Sequence, residues 1–288
     1  MKSLRLLIFT IVSVFFSTSA SSSTNLTLQT GIDWLNLSLK TPLNKDDIKR
    51  TVYDINDYTE FLSTSITMER ENFFMGGKFI GSGKSSSNPQ NTLLSGNETP
   101  SYINQSATYN YDEYDVFLGT KWNKFLIRLG YLKNTTNIDE KLENNPSFNT
   151  GRFDYLQIKS KSIGPHVNVA YNFDITKNSN FLISSDIRFL KRDDNIKYDI
   201  NIGQPGTPLS NLKLHYNYKD FFESSFMLET VYSYEFSKNM QIALILDYLY
   251  SKYNGKTKLV DQTTNYDEVN VETKNLSKRM SIGIQYTF

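Results

Sequence analysis

Histidine is the side chain whose charge changes near neutral pH, and this chain of 288 residues has two. His215 lies beyond Gly203-Gln204-Pro205-Gly206, and Asp193 and Asp194 stand on the other side of that turn. A hairpin folded symmetrically about the turn sets His215 opposite Asp194, where an Asp-oriented imidazole acts as a general base. Solvated loop residues of no catalytic consequence are the plainer expectation, because a working site needs a perturbed environment. His215, Asp194 and Asp193 are therefore candidates only. His166 is expected beside Asp186, across a short turn at 174–179, where a structural ion network explains it as well as catalysis does.

Gly81-Ser82-Gly83-Lys84-Ser85 superficially matches a phosphate-binding loop. The pattern needs a glycine five positions before Gly83, where Lys78 stands, and no helix-forming segment follows. It is rejected. With no Cys, thiol nucleophiles, Cys-ligated zinc and iron–sulfur clusters drop out together, and two His make a His-rich metal site improbable. No cofactor or metal is expected. A formal charge of +1 gives no basic excess to neutralise phosphates, so nucleic acid is not an expected partner. The Asn-x-Ser/Thr triplets at Asn25, Asn36, Asn97 and Asn134 read as chance events in an Asn-rich chain.

Whatever positions these residues is built from alternation. Met280, Ile282, Ile284, Tyr286 and Phe288 are apolar, with small or polar residues between them. That period of two marks a strand with unlike faces. The same pattern recurs at Leu62–Met68, Phe73–Phe79, Tyr114–Leu118, Phe125–Tyr131, Val167–Phe173, Phe181–Phe189, Phe222–Phe236 and Met240–Tyr250. A first strand falls within Leu26–Leu39, with a phase shift near Trp34-Leu35 that predicts a bulge. The total is ten strands. Val, Ile, Thr, Tyr and Phe dominate them, and no helical stripe is sustained.

Upstream, Lys2 and Arg5 precede the apolar run Leu6–Phe16 and then Ser17-Thr18-Ser19-Ala20. A basic start, a short apolar core and small residues at its end predict a secretory signal peptide over 1–20. Residues 21–288 then form a single domain. A mean hydropathy of −0.45, and no apolar run of the 18–20 or so residues a spanning helix needs, argue against a helical membrane protein.

Connections at 69–72, 120–124, 174–179 and 237–239 are short. Those at 40–51, 81–108, 134–151, 191–212 and 254–268 are long and expected to be loops. Short turns on one side and long loops on the other are the rhythm of a transmembrane β-barrel, whose even strand count leaves both termini in the periplasm. The predicted fold is thus all-β, a ten-stranded antiparallel barrel with five long extracellular loops. Tyr131, Tyr232, Tyr234, Tyr248 and Tyr250 near strand ends fit interfacial girdles. The polar face then points inward and carries Lys78, Glu113, Asp115, Arg128, His166, Asp186, Arg188, Glu223, Glu229, Glu235 and Arg279. Ten strands enclose little more than side chains, so these charges should pair as a structural network, and a wide pore is disfavoured.

From the leader to the terminal Gln285-Tyr286-Thr287-Phe288, the chain resembles a Gram-negative outer-membrane β-barrel. The closing aromatic, Phe288, resembles the signal by which that family engages the barrel assembly machinery. The resemblance implies the cell outer membrane as location, reached by the general secretory route, with membrane lipid and lipopolysaccharide as partners. Strand count and length resemble more narrowly the omptin-type and adhesin barrels. Omptin proteases carry an Asp pair in the second surface loop and an Asp–His pair in the fourth. Here the second loop holds one acid, Glu98, and the fourth has Asp193-Asp194 and His215 but no Asp-x-His element. The expected role is a non-catalytic surface protein whose loops bind a host or matrix ligand or serve envelope integrity. The alternative is an omptin-like endopeptidase with a divergent site.

Overall fold

The computed structural model describes residues 24–37, 42–45, 48–51, 58–81, 85–87, 104–143, 153–202, 210–261 and 265–288. The expected leader and most of the Gly81–Thr108 segment lie outside them. Ten long strands make the wall: β1 (Thr24–Leu37), β2 (Tyr58–Arg70), β3 (Phe73–Gly81), β4 (Asn104–Trp122) and β5 (Phe125–Glu143). They continue as β6 (Phe153–Thr176), β7 (Ser179–Ile202), β8 (Ser210–Ser237), β9 (Met240–Asp261) and β10 (Asn265–Thr287). Each pairs antiparallel with its sequence neighbours, and β1 pairs with β10 from Thr27–Thr287 to Leu37–Ser277, so the barrel closes. A small hairpin, Pro42–Lys45 with Ile48–Thr51, and the segment Ser85–Ser87 against β4 complete the sheet structure.

Register fixes the size of the barrel. Followed once round from Ile284 through Thr30, Thr64, Phe79, Tyr114, Lys133, Ile163, Lys191, Phe222 and Asn254, it returns to β10 at Glu272, twelve residues higher. With strands about 4.8 Å apart and a rise of about 3.3 Å per residue, that stagger gives a tilt of about 40° and a radius of about 10 Å. Inward side chains from opposite walls can meet at the axis.

The outward face is apolar all the way round, from Leu28 and Ile32 on β1 to Ile282 and Ile284 on β10. Lipid, not water, is the solvent for which such a surface is stable. Trp122, Phe125, Tyr171 and Phe173 form an aromatic chain near one rim, and Tyr286 packs on Phe288 there. Phe79 with Tyr114, and Phe189 with Phe222, occupy the other. Two-residue turns at 71–72, 123–124, 177–178 and 238–239 close the periplasmic side, each containing an Asn. Glu71 and Asn123 take φ of 54°, the left-handed conformation that tight hairpins demand.

Two expectations need correction. First, β1 keeps an unbroken register with both neighbours through Trp34 and Leu35, so no bulge occurs there. Leu35 breaks the sequence alternation because it is an apolar residue facing inward, packed with Phe61, Ile80 and Tyr111. Second, much of the expected loops at 134–151, 191–212 and 254–268 is strand. β7 and β8 are 24 and 28 residues long, more than twice the ~10 residues that a tilted strand needs to cross a bilayer. Their excess length rises beyond the apolar belt as a crown of paired strands, while β1, β2 and β3, at 14, 13 and 9 residues, stay short.

Candidate functional site

Strand parity sends alternate residues of each strand into the interior, and the charged ones meet there. His166 on β6 is buried between two carboxylates: Nδ1 lies 2.8 Å from Asp186 Oδ1 and Nε2 lies 2.8 Å from Asp115 Oδ1. Asp186 is on the adjacent strand β7, but Asp115 is on β4, two strands away. The intervening strand presents Gly130, the register partner of His166, and a Cβ there would sit 2.0 Å from His166 Nε2. The missing side chain is the space the imidazole occupies.

From Asp186 the network continues inward. Arg188 Nε donates to Asp186 Oδ2 at 3.0 Å, its Nη2 contacts Met227 Sδ at 3.1 Å, and its Nη1 lies 3.6 Å from Glu113. Tyr111 donates its hydroxyl to the same Glu113 at 2.7 Å. Arg279, paired tightly with Asp247, reaches Glu113 and Glu229 at 4.0 Å each. Glu229 also accepts from Ser184 at 3.2 Å. Arg128 lies over the Phe117 ring at 4.9 Å, while its buried Nε finds no acceptor among the described residues. Lys78 stands on β3 opposite Asp115, and Glu235 lies half-buried on β8 near the periplasmic turns. Glu113 and the two guanidinium groups, rooted on strands that are not neighbours, meet in the interior of a barrel this narrow.

A second buried cluster sits higher, toward the crown. Arg192 Nε donates to both oxygens of Asp194 at 2.9 and 3.0 Å, and its Nη1 lies 3.3 Å from Glu223. Ser160 donates to Asp194 at 2.5 Å, and Ser162 to Glu223 at 2.8 Å. Asp33, Arg192 and Asp247 were missed by sequence reasoning. Arg192 follows Arg188 and Leu190 at the same parity, so continuing the alternation into the expected loop would have found it. Asp33 was hidden by the apparent phase shift on β1.

The catalytic candidates do not come together. His215 pairs with Lys197, and Asp194 pairs with Tyr218, three positions away. The expected symmetry fails because the β7–β8 ladder closes with Ile202 opposite Ser210, three residues out of the register expected about the turn. Lower down, the register shifts by one at Lys219-Asp220, where Asp220 has a φ of 60° and its amide donates to Asp193 at 2.9 Å. Nothing further is described for His215, whose side chain lies outside the described residues. Asp193 is exposed and spent on that bulge, and Asp220 also pairs with Lys191 at 2.5 Å, holding its ammonium above the usual lysine range. Asp194 accepts hydrogen bonds from Ser160 and Arg192. No group of three or more His, Asp or Glu fit to hold a metal ion occurs among the described residues.

No protein-family model matches the chain, and no curated protein matches it either. Among solved structures, it is similar to the outer membrane protease OmpT from Escherichia coli, with a TM-score of 0.61 at 12% identity. That likeness covers 94% of this chain and 100% of the protease. Neisserial surface protein A covers 93% of this chain at 11% identity with a TM-score of 0.31, all of its own length being matched. The translocator domain of the autotransporter NalP from Neisseria meningitidis covers 99% of this chain and 95% of its own at 5% identity, TM-score 0.39. The likeness to the protease shows the fold, a ten-stranded outer-membrane barrel, and nothing of its activity.

Proposed function

We propose that this outer-membrane barrel is a non-catalytic surface protein, a rigid stalk that presents its crown to an extracellular partner. The length of β7 and β8 carries this reading: wall strands extended far beyond the bilayer hold binding segments at a fixed height and angle. The hydrolase alternative has lost its motivating juxtaposition, because His215 and Asp194 are out of register. Shortening the β7–β8 hairpin above the Asn195–Asn217 pair should leave a heat-modifiable barrel that has lost adhesion to host cells or matrix. A fluorogenic dibasic peptide, offered to the purified protein with lipopolysaccharide, should remain uncut. Cleavage that vanishes in His215→Ala would establish the endopeptidase instead.

Export by the secretory route and insertion by the assembly machinery, through the strand ending at Phe288, belong to the same reading. So does contact with lipopolysaccharide. Lys133, Lys159 and Lys161 are exposed on neighbouring strands β5 and β6, at and above the outer aromatic rim, and Lys133 lies 5.8 Å from the Tyr114 ring. Ammonium groups at that height suit lipid phosphates. Lipopolysaccharide should raise the thermal unfolding temperature of the refolded barrel. The gain should shrink in the triple variant Lys133→Gln, Lys159→Gln, Lys161→Gln, and an equal gain in both proteins would remove these lysines from the contact.

A further inference from the structure

Glu113 occupies a singular place in the lumen. Two arginines converge on it from different walls, Arg188 from β7 and Arg279 from β10, and each is anchored at its root by an acid of its own, Asp186 and Asp247. Tyr111 holds the carboxylate from the same strand. On the side of β1, β2, β3 and β5 the wall here is apolar: Leu35, Phe61, Ile80 and Leu132 turn inward, each at most 7% exposed, while Arg188, Asp247, Ser277 and Arg279 line the other side. A cavity of about 30 Å³, bordered by Leu35, Glu113, Arg188 and Arg279, leaves room for a water or two beside the ion cluster.

We propose that the lumen is shut at this level by a bolt within a collar. The Glu113 carboxylate is the bolt, binding the two guanidinium groups across the axis, and the apolar side chains are the collar. Ion passage would require a hydrated ion to pass between this apolar arc and the guanidinium groups while breaking both contacts to Glu113. Removing the Glu113 charge leaves two cations facing each other, so each falls back on its own aspartate and the axis fills with water. The path so opened is narrow and lined by guanidinium groups, and it favours anions. This barrier is independent of what the crown binds.

The test is planar-bilayer recording of the refolded protein, with heat-modifiable migration as the check of folding. The unaltered barrel should be silent. Glu113→Gln keeps the shape and the Tyr111 contact, and should give a small steady conductance, about 10-fold or more above the bilayer leak and selective for chloride over potassium. Asp186→Asn, which alters a root and leaves the bolt, should stay silent. A folded Glu113→Gln barrel as tight as the parent overturns the proposal, as does a conductance equal in the two variants. A second measurement does not depend on that variant folding. The chain has no cysteine, so Phe61→Cys places one thiol in the collar. A dry collar protects it from a charged thiosulfonate reagent about 100-fold relative to the unfolded protein, whereas labelling at the unfolded rate shows an open, wet lumen and overturns the seal.

Discussion

Arg188→Ala is expected to lower the unfolding free energy of the refolded barrel by about 3–5 kcal/mol, the usual cost of removing one partner from a fully buried ion pair. Arg188 is 4% exposed and serves Asp186 and Glu113 together. Its loss takes a guanidinium from both carboxylates at once, leaving Asp186 to His166 and Glu113 to Arg279 and Tyr111 in an interior where an under-compensated charge is costly. Urea titration in lipid vesicles, followed by tryptophan fluorescence from Trp34 and Trp122, would show a midpoint well below the parent's. The comparison is with Lys191→Ala, whose partner Asp220 is solvated. That exposed pair should contribute at most about 1 kcal/mol. Equal midpoints for Arg188→Ala and the parent, together with lost adhesion or activity, would make the lumen charges a functional site.

Gly130→Ala should be nearly as damaging, although it adds one methyl group. The new Cβ would lie 2.0 Å from His166 Nε2, and the ring cannot yield while Asp115 and Asp186 hold its two nitrogens at 2.8 Å. Either the imidazole leaves both carboxylates or the β5–β6 ladder gives way. Loss of a charge-assisted hydrogen bond costs about 1.5–3 kcal/mol, so a total of about 2–4 kcal/mol is expected. A double-mutant cycle isolates the cause. In His166→Ala the space is vacated, so adding Gly130→Ala should then cost less than about 1 kcal/mol, a strong coupling of the kind seen between residues in contact. Additive losses would mean that the glycine matters for another reason, such as strand twist, and that His166 does not lie across it.

The lumen network gives the barrel stiffness. Cross-braces from β4 to β6 and β7, through Asp115, His166 and Asp186, tie together strands that share no ladder hydrogen bonds. Arg279 does the same between β10 and β4 through Glu113. These ties lie inside the wall that carries the tall β7–β8 arm, and a crown held on such a frame keeps its geometry under load. At the level of the bulge, Asp193, Asp220 and Lys191 form a solvated counterpart outside the wall.

The sequence by itself determined the barrel. Ten alternating segments and four short turns leave little choice, because a strand with one continuous apolar face needs lipid on that side and a closed sheet to satisfy its backbone. Parity alone assigned Glu113, Asp115, Asp186, Arg188 and Arg279 to the inner face, since a period of two cannot slip without exposing charge to lipid. Partner choice was beyond it. Which acid meets His166 across a skipped strand depends on the stagger of twelve residues and on the gap at Gly130, and neither is a local property of any segment. The same holds for His215: the β7–β8 ladder closes with Ile202 opposite Ser210, which puts His215 three positions from Asp194, and that register is settled by how two long strands share a ladder. Where the lumen is closed was likewise a tertiary decision, because only the stagger brings Leu35, Phe61, Ile80 and Leu132, from four strands, to one level around Glu113.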